Sequence, residues 1–178
     1  MQSLSEKLYK NSLTAFAKEF NYQNPLAAPR LKTVSVSVAV KSADSDTKFI
    51  NYLSEQVAVI AGQKPAVTKA KKAISSFKLR EGMAVGCKVT LRRKKMYQFL
   101  DKLVNIALPR IRDFRGLNSS GFNESNHYSF GIKDSNIFLE YKDTTTAKPF
   151  GMNITITSTA KTKEEALYLL RTLNFPIK

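Results

Sequence analysis

The chain has 178 residues, 43% of them hydrophobic, with 29 Lys+Arg against 14 Asp+Glu and a formal net charge of +15. That apolar share can build a core burying roughly 70% of the unfolded chain's surface, which argues against disorder throughout. No run of about 18 apolar residues is present, excluding a membrane-spanning helix, and a single Cys87 with a single His127 excludes a disulfide framework, a zinc ribbon and a His–Cys metal cage.

The first residues, Met1-Gln2-Ser3-Leu4-Ser5-Glu6, lack the basic segment and apolar run of a secretory signal, and no Arg precedes Arg30. The protein is therefore expected to work in the compartment where it is made. Ser3 and Glu6 form a capping-box pattern, and Tyr9, Leu13, Phe16 and Phe20 follow at helical spacing, predicting a helix over about 4–20. Pro25 and Pro29 bound an extended connection. Residues 31–40 alternate strictly, Val34, Val36 and Val38 against Thr33, Ser35 and Ser37, as a strand with one buried side does. Phe49, Ile50, Leu53, Val57 and Ile60 mark a helix entered near Asp44–Asp46 and stopped by Gly62.

A short strand at about 65–69 leads into the basic stretch from Lys71 to Met83, which keeps no clean period and is expected to be a long functional loop. Ile74 and Phe77 are expected to tuck this loop down while its basic tip stays free. A second alternating strand turns Cys87, Val89 and Leu91 inward and Lys88, Thr90 and Arg92 outward. A helix over about 94–107 offers Met96, Phe99, Leu100, Leu103, Val104 and Ala107 to the core, and Pro109 ends it. Residues 110–146 are the least regular, with strand expected near Tyr128–Ile132 and Ile137–Tyr141. A third alternating strand places Met152, Ile154 and Ile156 inward and Asn153, Thr155, Thr157 and Thr159 outward. Thr162 and Glu165 form a capping box for a last helix carrying Ala166, Leu167, Leu170 and Leu173, which Pro176 ends.

Strands that each keep a polar side cannot be covered on both faces. The expected architecture is an α+β two-layer sandwich: a mainly antiparallel sheet, helices on one face and an open polar face on the other. It is expected as one domain over 1–178, with a basic loop at 71–83 and an irregular arm at about 118–146.

The charge is concentrated. Residues 64–115 hold 15 basic and 3 acidic side chains, whereas the flanking segments are nearly balanced. Such a field captures polyanions. A merely solubilising surface would mix its signs, and an anionic membrane would ask for a basic amphipathic helix with insertable aromatics. An open sheet rich in hydroxyls and cations suits a folded RNA, offering partners to ribose and phosphate; an ordinary solvated sheet reads the same way.

Signatures of catalysis are missing. Gly62-Gln63-Lys64-Pro65 lacks the spacing of a phosphate loop. His127 has no nucleophile motif around it and reads as a surface or strand-edge residue, and Cys87 as a small buried hydrophobe. Glu164 and Glu165 complement a helix dipole. An RNA-modifying or RNA-cleaving enzyme would need a carboxylate or histidine on the polar face, and the three clear strands supply none. No enzyme, cofactor or metal is expected.

Three long blocks are more specific: Gly62-Gln63-Lys64-Pro65-Ala66-Val67-Thr68-Lys69-Ala70-Lys71-Lys72, then Phe77-Lys78-Leu79-Arg80-Glu81-Gly82 with Gly86-Cys87-Lys88-Val89-Thr90-Leu91-Arg92, then Leu108-Pro109-Arg110-Ile111-Arg112-Asp113-Phe114-Arg115-Gly116-Leu117. With Thr159-Ala160-Lys161-Thr162 and the helix after it, they closely resemble the fifth-protein family of the large ribosomal subunit over nearly the whole chain. The resemblance implies a non-catalytic protein that binds 5S ribosomal RNA and helps anchor it in the central protuberance, beside large-subunit ribosomal RNA and other protuberance proteins. It implies RNA recognition at Ser37, Gln63 and Thr90, where Ser37 replaces a usual asparagine and loses an amide that both donates and accepts. Ser35, Lys69, Lys88 and Arg92 join them as candidates on the polar face.

In that family the long loop reaches peptidyl-site transfer RNA, which implicates Lys71, Lys72, Ser75, Ser76, Phe77, Lys78 and Arg80. A bridge to a head protein of the small subunit implicates Arg110, Arg112, Arg115 and the segment near 133–142. Departures from the family pattern fall at Phe122–Tyr128, here Phe-Asn-Glu-Ser-Asn-His-Tyr, and at Phe138-Leu139-Glu140-Tyr141. Such drift, rich in Lys, Asn, Ser and Thr, would suit the ribosome of an AT-rich bacterium's cytoplasm or of a mitochondrial matrix.

Overall fold

The computed structural model describes residues 8, 9, 16, 19, 20, 22, 24, 27–40, 47–141 and 149–178, of which 47 and 48 are described by backbone alone. Leu8, Tyr9, Phe16 and Glu19 are helical. Apart from Phe20, a turn residue, the rest of the predicted first helix with its capping box, Pro25, the Asp44–Asp46 entry and residues 142–148 lie outside the described residues.

Five strands form one antiparallel sheet: β1 (Leu31–Ala39), β2 (Ala66–Lys69), β3 (Ala84–Leu91), β4 (Tyr128–Ile132) and β5 (Met152–Ser158), in the order β2-β3-β1-β5-β4. With helices α1 (Thr47–Ala61), α2 (Arg93–Lys102) and α3 (Lys163–Thr172) they make an α+β fold of the two-layer sandwich type. The alternation in the sequence is what drives it. Val34, Val36 and Val38 of β1, Cys87, Val89 and Leu91 of β3, and Met152, Ile154 and Ile156 of β5 are all buried, while their polar neighbours stay at least partly accessible.

The chain divides into two compact units, one of residues 35–91 and 131–154, the other of residues 1–34, 92–130 and 155–178. In the first, α1 buries Ile50, Leu53, Val57 and Ile60 and packs on β3 and β2. It stops at Gly62, whose φ of +67° is the left-handed conformation that favours glycine, while the Gly62 N–H still donates to Ala58 O at 2.8 Å. Gly86 serves a different need. A Cβ there would collide with the Val38 carbonyl, so only glycine lets β3 approach β1 this closely.

In the other unit, Tyr168 of α3 joins a cluster of rings. Phe16 stacks on Phe20 with centroids 4.8 Å apart and meets Tyr168 edge-on at 5.0 Å. The expected capping box is present: Thr162 Oγ1 accepts from the Glu165 N–H at 3.3 Å, and Glu165 Oε2 accepts from the Thr162 N–H at 3.4 Å.

Three expectations are corrected. The helix predicted over 94–107 is α-helical only to Lys102; it widens into a π-turn over Leu103–Ala107 and tightens to a 3-10 turn over Leu108–Arg110. Pro109 therefore sits at the start of a new turn, where its missing N–H leaves no bond unmade. Val104 is only half-buried, whereas Met96, Phe99, Leu100, Leu103 and Ala107 reach the core.

The strand expected at 137–141 is a succession of turns, with Phe138 N–H donating to Ser135 O at 3.1 Å and Tyr141 N–H to Phe138 O at 3.2 Å. This spacing buries Ile137, Phe138 and Tyr141 and leaves Leu139 exposed. Finally, α3 ends at Thr172, ahead of Pro176, because Asn174 turns left-handed at φ 60°. Leu169 is buried, and Leu167 is half-buried.

Candidate nucleic-acid interface

Most of the candidates for RNA recognition fall in one compact unit, 35–91 with 131–154. Ser35 and Ser37 lie half-buried on β1, on the side opposite Val34, Val36 and Val38. On β3, Lys88 is exposed and Thr90 half-buried. Gln63, just past the end of α1, reaches back to the same strand: its Nε2 donates to the backbone oxygen of Thr90 at 3.3 Å. That bond fixes the amide of Gln63 beside β3 and leaves its oxygen as an acceptor. Lys69, at the end of β2, is exposed. Arg92 belongs to the other unit, where it is the exposed, extended N-cap of α2.

The pairing of β2 with β3 slips at its end. Val67 faces Cys87 and Thr68 faces Gly86, but Lys69 faces Ala84, so Val85 has no opposite number. A bulge of this kind bends the strand and re-aims its side chains. It stands at the base of the 71–83 loop, which is more ordered than a stretch without periodicity suggests. Ala70 N–H donates to Met83 O at 2.8 Å and Gly82 N–H to Ala70 O at 3.0 Å; higher up, Ile74 and Leu79 exchange both backbone bonds at 3.0 Å. Ser75–Phe77 form a 3-10 turn closed by Lys78, whose φ of 52° is left-handed, a conformation costing roughly 1–2 kcal/mol for a residue with a Cβ.

The loop presents Lys71, Lys72, Ser75, Ser76, Lys78 and Arg80 to solvent. Contrary to expectation, Ile74 and Phe77 do not tuck it down: Ile74 is 43% exposed and Phe77 63%. The half-buried side chains are Leu79 and Met83. Between this loop and the polar side of the sheet lies a cavity of about 610 Å³, bordered by Ser37, Thr68, Phe77, Leu79, Lys88 and Asn153 among others. Thr68 and Asn153 were not among the sequence candidates. Asn153 occupies an outward position of the alternating strand β5, so parity is the available signal for it, whereas all four residues of β2 are exposed and no alternation marks Thr68.

In the other unit, Arg110, Arg112 and Arg115 are exposed along the segment that follows α2, with Asp113 left-handed at φ 55° between them. Arg110 is the last residue of the 3-10 turn. His127 precedes β4 directly, at the strand's edge as expected, and Cys87 is a buried free thiol whose pKa burial pushes up. Among the described residues no group of three or more His, Cys, Asp or Glu could hold a metal ion, and no helix is long and apolar enough to cross a membrane.

A basic α+β chain whose sheet keeps one polar face, with its candidate side chains being hydroxyls, amides and cations, has the make-up of a ribosomal protein. Comparison with known proteins makes this specific. A family model described as "Ribosomal protein L5" matches residues 24–80, and a second model, for the C-terminus of the same ribosomal family, matches residues 84–177. Proteins named "Large ribosomal subunit protein uL5" are similar over the whole chain. That of Solibacter usitatus is 45% identical over 98% of this chain and 97% of its own, and that of Geobacter sulfurreducens 44% over 100% and 99%. The Clostridium tetani protein is 45% identical over 97% of this chain and 96% of its own. The chain belongs to the ribosomal protein L5 family, non-catalytic structural constituents of the large ribosomal subunit.

Proposed function

We propose that this chain binds 5S ribosomal RNA on the polar side of its sheet and helps fix it in the central protuberance of a bacterial large subunit. Ser37, Gln63 and Thr90 supply the specific contacts, and Ser35, Lys69, Lys88 and Arg92 add hydroxyl and charge contacts to sugar and phosphate. What supports this reading most is the 3.3 Å bond from Gln63 Nε2 to the Thr90 backbone. It ties together two residues, 27 positions apart, that the family resemblance pairs as recognition positions. The serine at 37 lacks the usual amide, so its contact is the weaker of the three.

The 71–83 loop contacts peptidyl-site transfer RNA in this proposal through Lys71, Lys72, Ser75, Ser76, Lys78 and Arg80. Arg110, Arg112 and Arg115 face a head protein of the small subunit. Large-subunit ribosomal RNA and neighbouring protuberance proteins take up the remaining surface. The decisive experiment compares 5S RNA affinity of the wild type with Gln63→Ala and Thr90→Ala under excess transfer RNA. Each substitution is expected to cost about 1–3 kcal/mol, the loss typical of a buried hydrogen-bond partner. Unchanged affinity in both would refute the site.

A further inference from the structure

We infer that the cavity beneath the 71–83 loop is a slot for one unpaired base of the RNA on the sheet, with Phe77 as its stacking partner. The inference rests on the proposed function, since it takes the occupant from the RNA lying on the polar face. Its chemistry comes from the walls. About 610 Å³ falls within the roughly 300–1,000 Å³ of small-ligand sites. Val40, Leu79, Val85 and Phe77 make the lining largely apolar, which suits a heteroaromatic ring and would reject a phosphate. Around that lining stand Ser37, Thr68 and Asn153, whose hydroxyls and amide can read donors and acceptors on a base edge, and Lys88, a cation for the adjoining phosphate.

The surroundings single out a polyanion as the source of that ring. Residues 64–91 carry seven basic side chains and one acidic, Glu81, and the two cations on the sheet strands themselves, Lys69 at the end of β2 and Lys88 on the cavity wall, are exposed. Phosphate neutralisation thus belongs to the rim and base recognition to the slot, the division by which single-stranded loops of folded RNA are read. Two backbone features hold the slot in shape. The left-handed Lys78 closes the turn that carries Phe77, leaving a ring 63% exposed at the cavity's edge, and the bulge at Val85 brings that side chain to the cavity wall.

The test uses the full chain and 5S RNA in excess transfer RNA. Single abasic sites are introduced at each unpaired nucleotide, and Kd is measured for the wild type, Phe77→Trp and Phe77→Ala. One abasic position is expected to lower wild-type affinity about tenfold, as loss of one stacked base does. Phe77→Ala should lower it as much on intact RNA, and Phe77→Trp should preserve it. The two losses should not add, because both remove the same stack. If the wild type selects 5S RNA but no abasic position couples to Phe77, the slot is overturned while the proposed function stands. If the wild type does not select 5S RNA at all, both fall. Saturation by adenosine or uridine monophosphate at micromolar concentration, without competition against 5S RNA, would make the cavity a free-nucleotide site and also overturn the inference.

Discussion

Glu165, the third residue of α3, gathers donors from three directions. Its Oε1 accepts from the Tyr22 hydroxyl at 2.7 Å, and its Oε2 accepts from the backbone N–H groups of Lys161 at 2.8 Å and Thr162 at 3.4 Å. Burial, followed by the adjacent carboxylate, holds the Tyr22 phenol above its ordinary pKa. The carboxylate is buried, at 8% exposure, so losing it strands several donors at once. Glu165→Ala is expected to lower unfolding free energy by about 1–3 kcal/mol. Urea denaturation should show a lower midpoint with an unchanged slope, and an unmoved midpoint would contradict this account of the helix start. Half of this site is legible in the sequence: Thr162 and Glu165 sit at capping-box spacing. The bond to Tyr22 is not, because it joins residues 143 positions apart and no local pattern carries it.

The elements that read correctly from the sequence are those with one buried face. In β1, β3 and β5 the buried side takes every second residue, so parity alone assigns Val36, Val89 and Ile154 to the core and Ser37, Lys88 and Asn153 to the other side. Parity fails at 137–141, where turns bury Ile137, Phe138 and Tyr141 through local i to i+3 bonds. It is silent on the 71–83 loop, whose cavity brings Phe77 and Leu79 to the same space as Val40 and Asn153. The proposed binding mode gives the lysines and the aromatic of this loop separate tasks. Replacing Lys71, Lys72 and Lys78 together by alanine is expected to change 5S RNA affinity under transfer-RNA competition by no more than about threefold, since all three are exposed on the loop and none belongs to the proposed 5S contacts of the sheet. Large subunits carrying the triple variant should hold peptidyl-site transfer RNA more weakly in a filter-retention assay. A loss of 5S affinity equal to that of Thr90→Ala would contradict the division.

At the scale of the whole molecule the governing fact is where the charge lies: 15 basic and 3 acidic side chains in residues 64–115 out of a total of 29 and 14. That segment runs from Lys64 through the loop and β3 into α2 and the arginines that follow, so it supplies cations to both compact units. A charge surplus of this size binds any polyanion; specificity must come from the fixed hydroxyls and amides of the sheet, a difference that salt and competitor separate. The most direct measurement is a salt titration of wild-type binding to 5S ribosomal RNA, run with and without excess transfer RNA. About five to eight phosphate contacts predict a log–log slope of about −4 to −7, with affinity that persists when the competitor is added. Affinity abolished by the competitor at every salt concentration would contradict a specific 5S site and leave only the attraction of a basic surface.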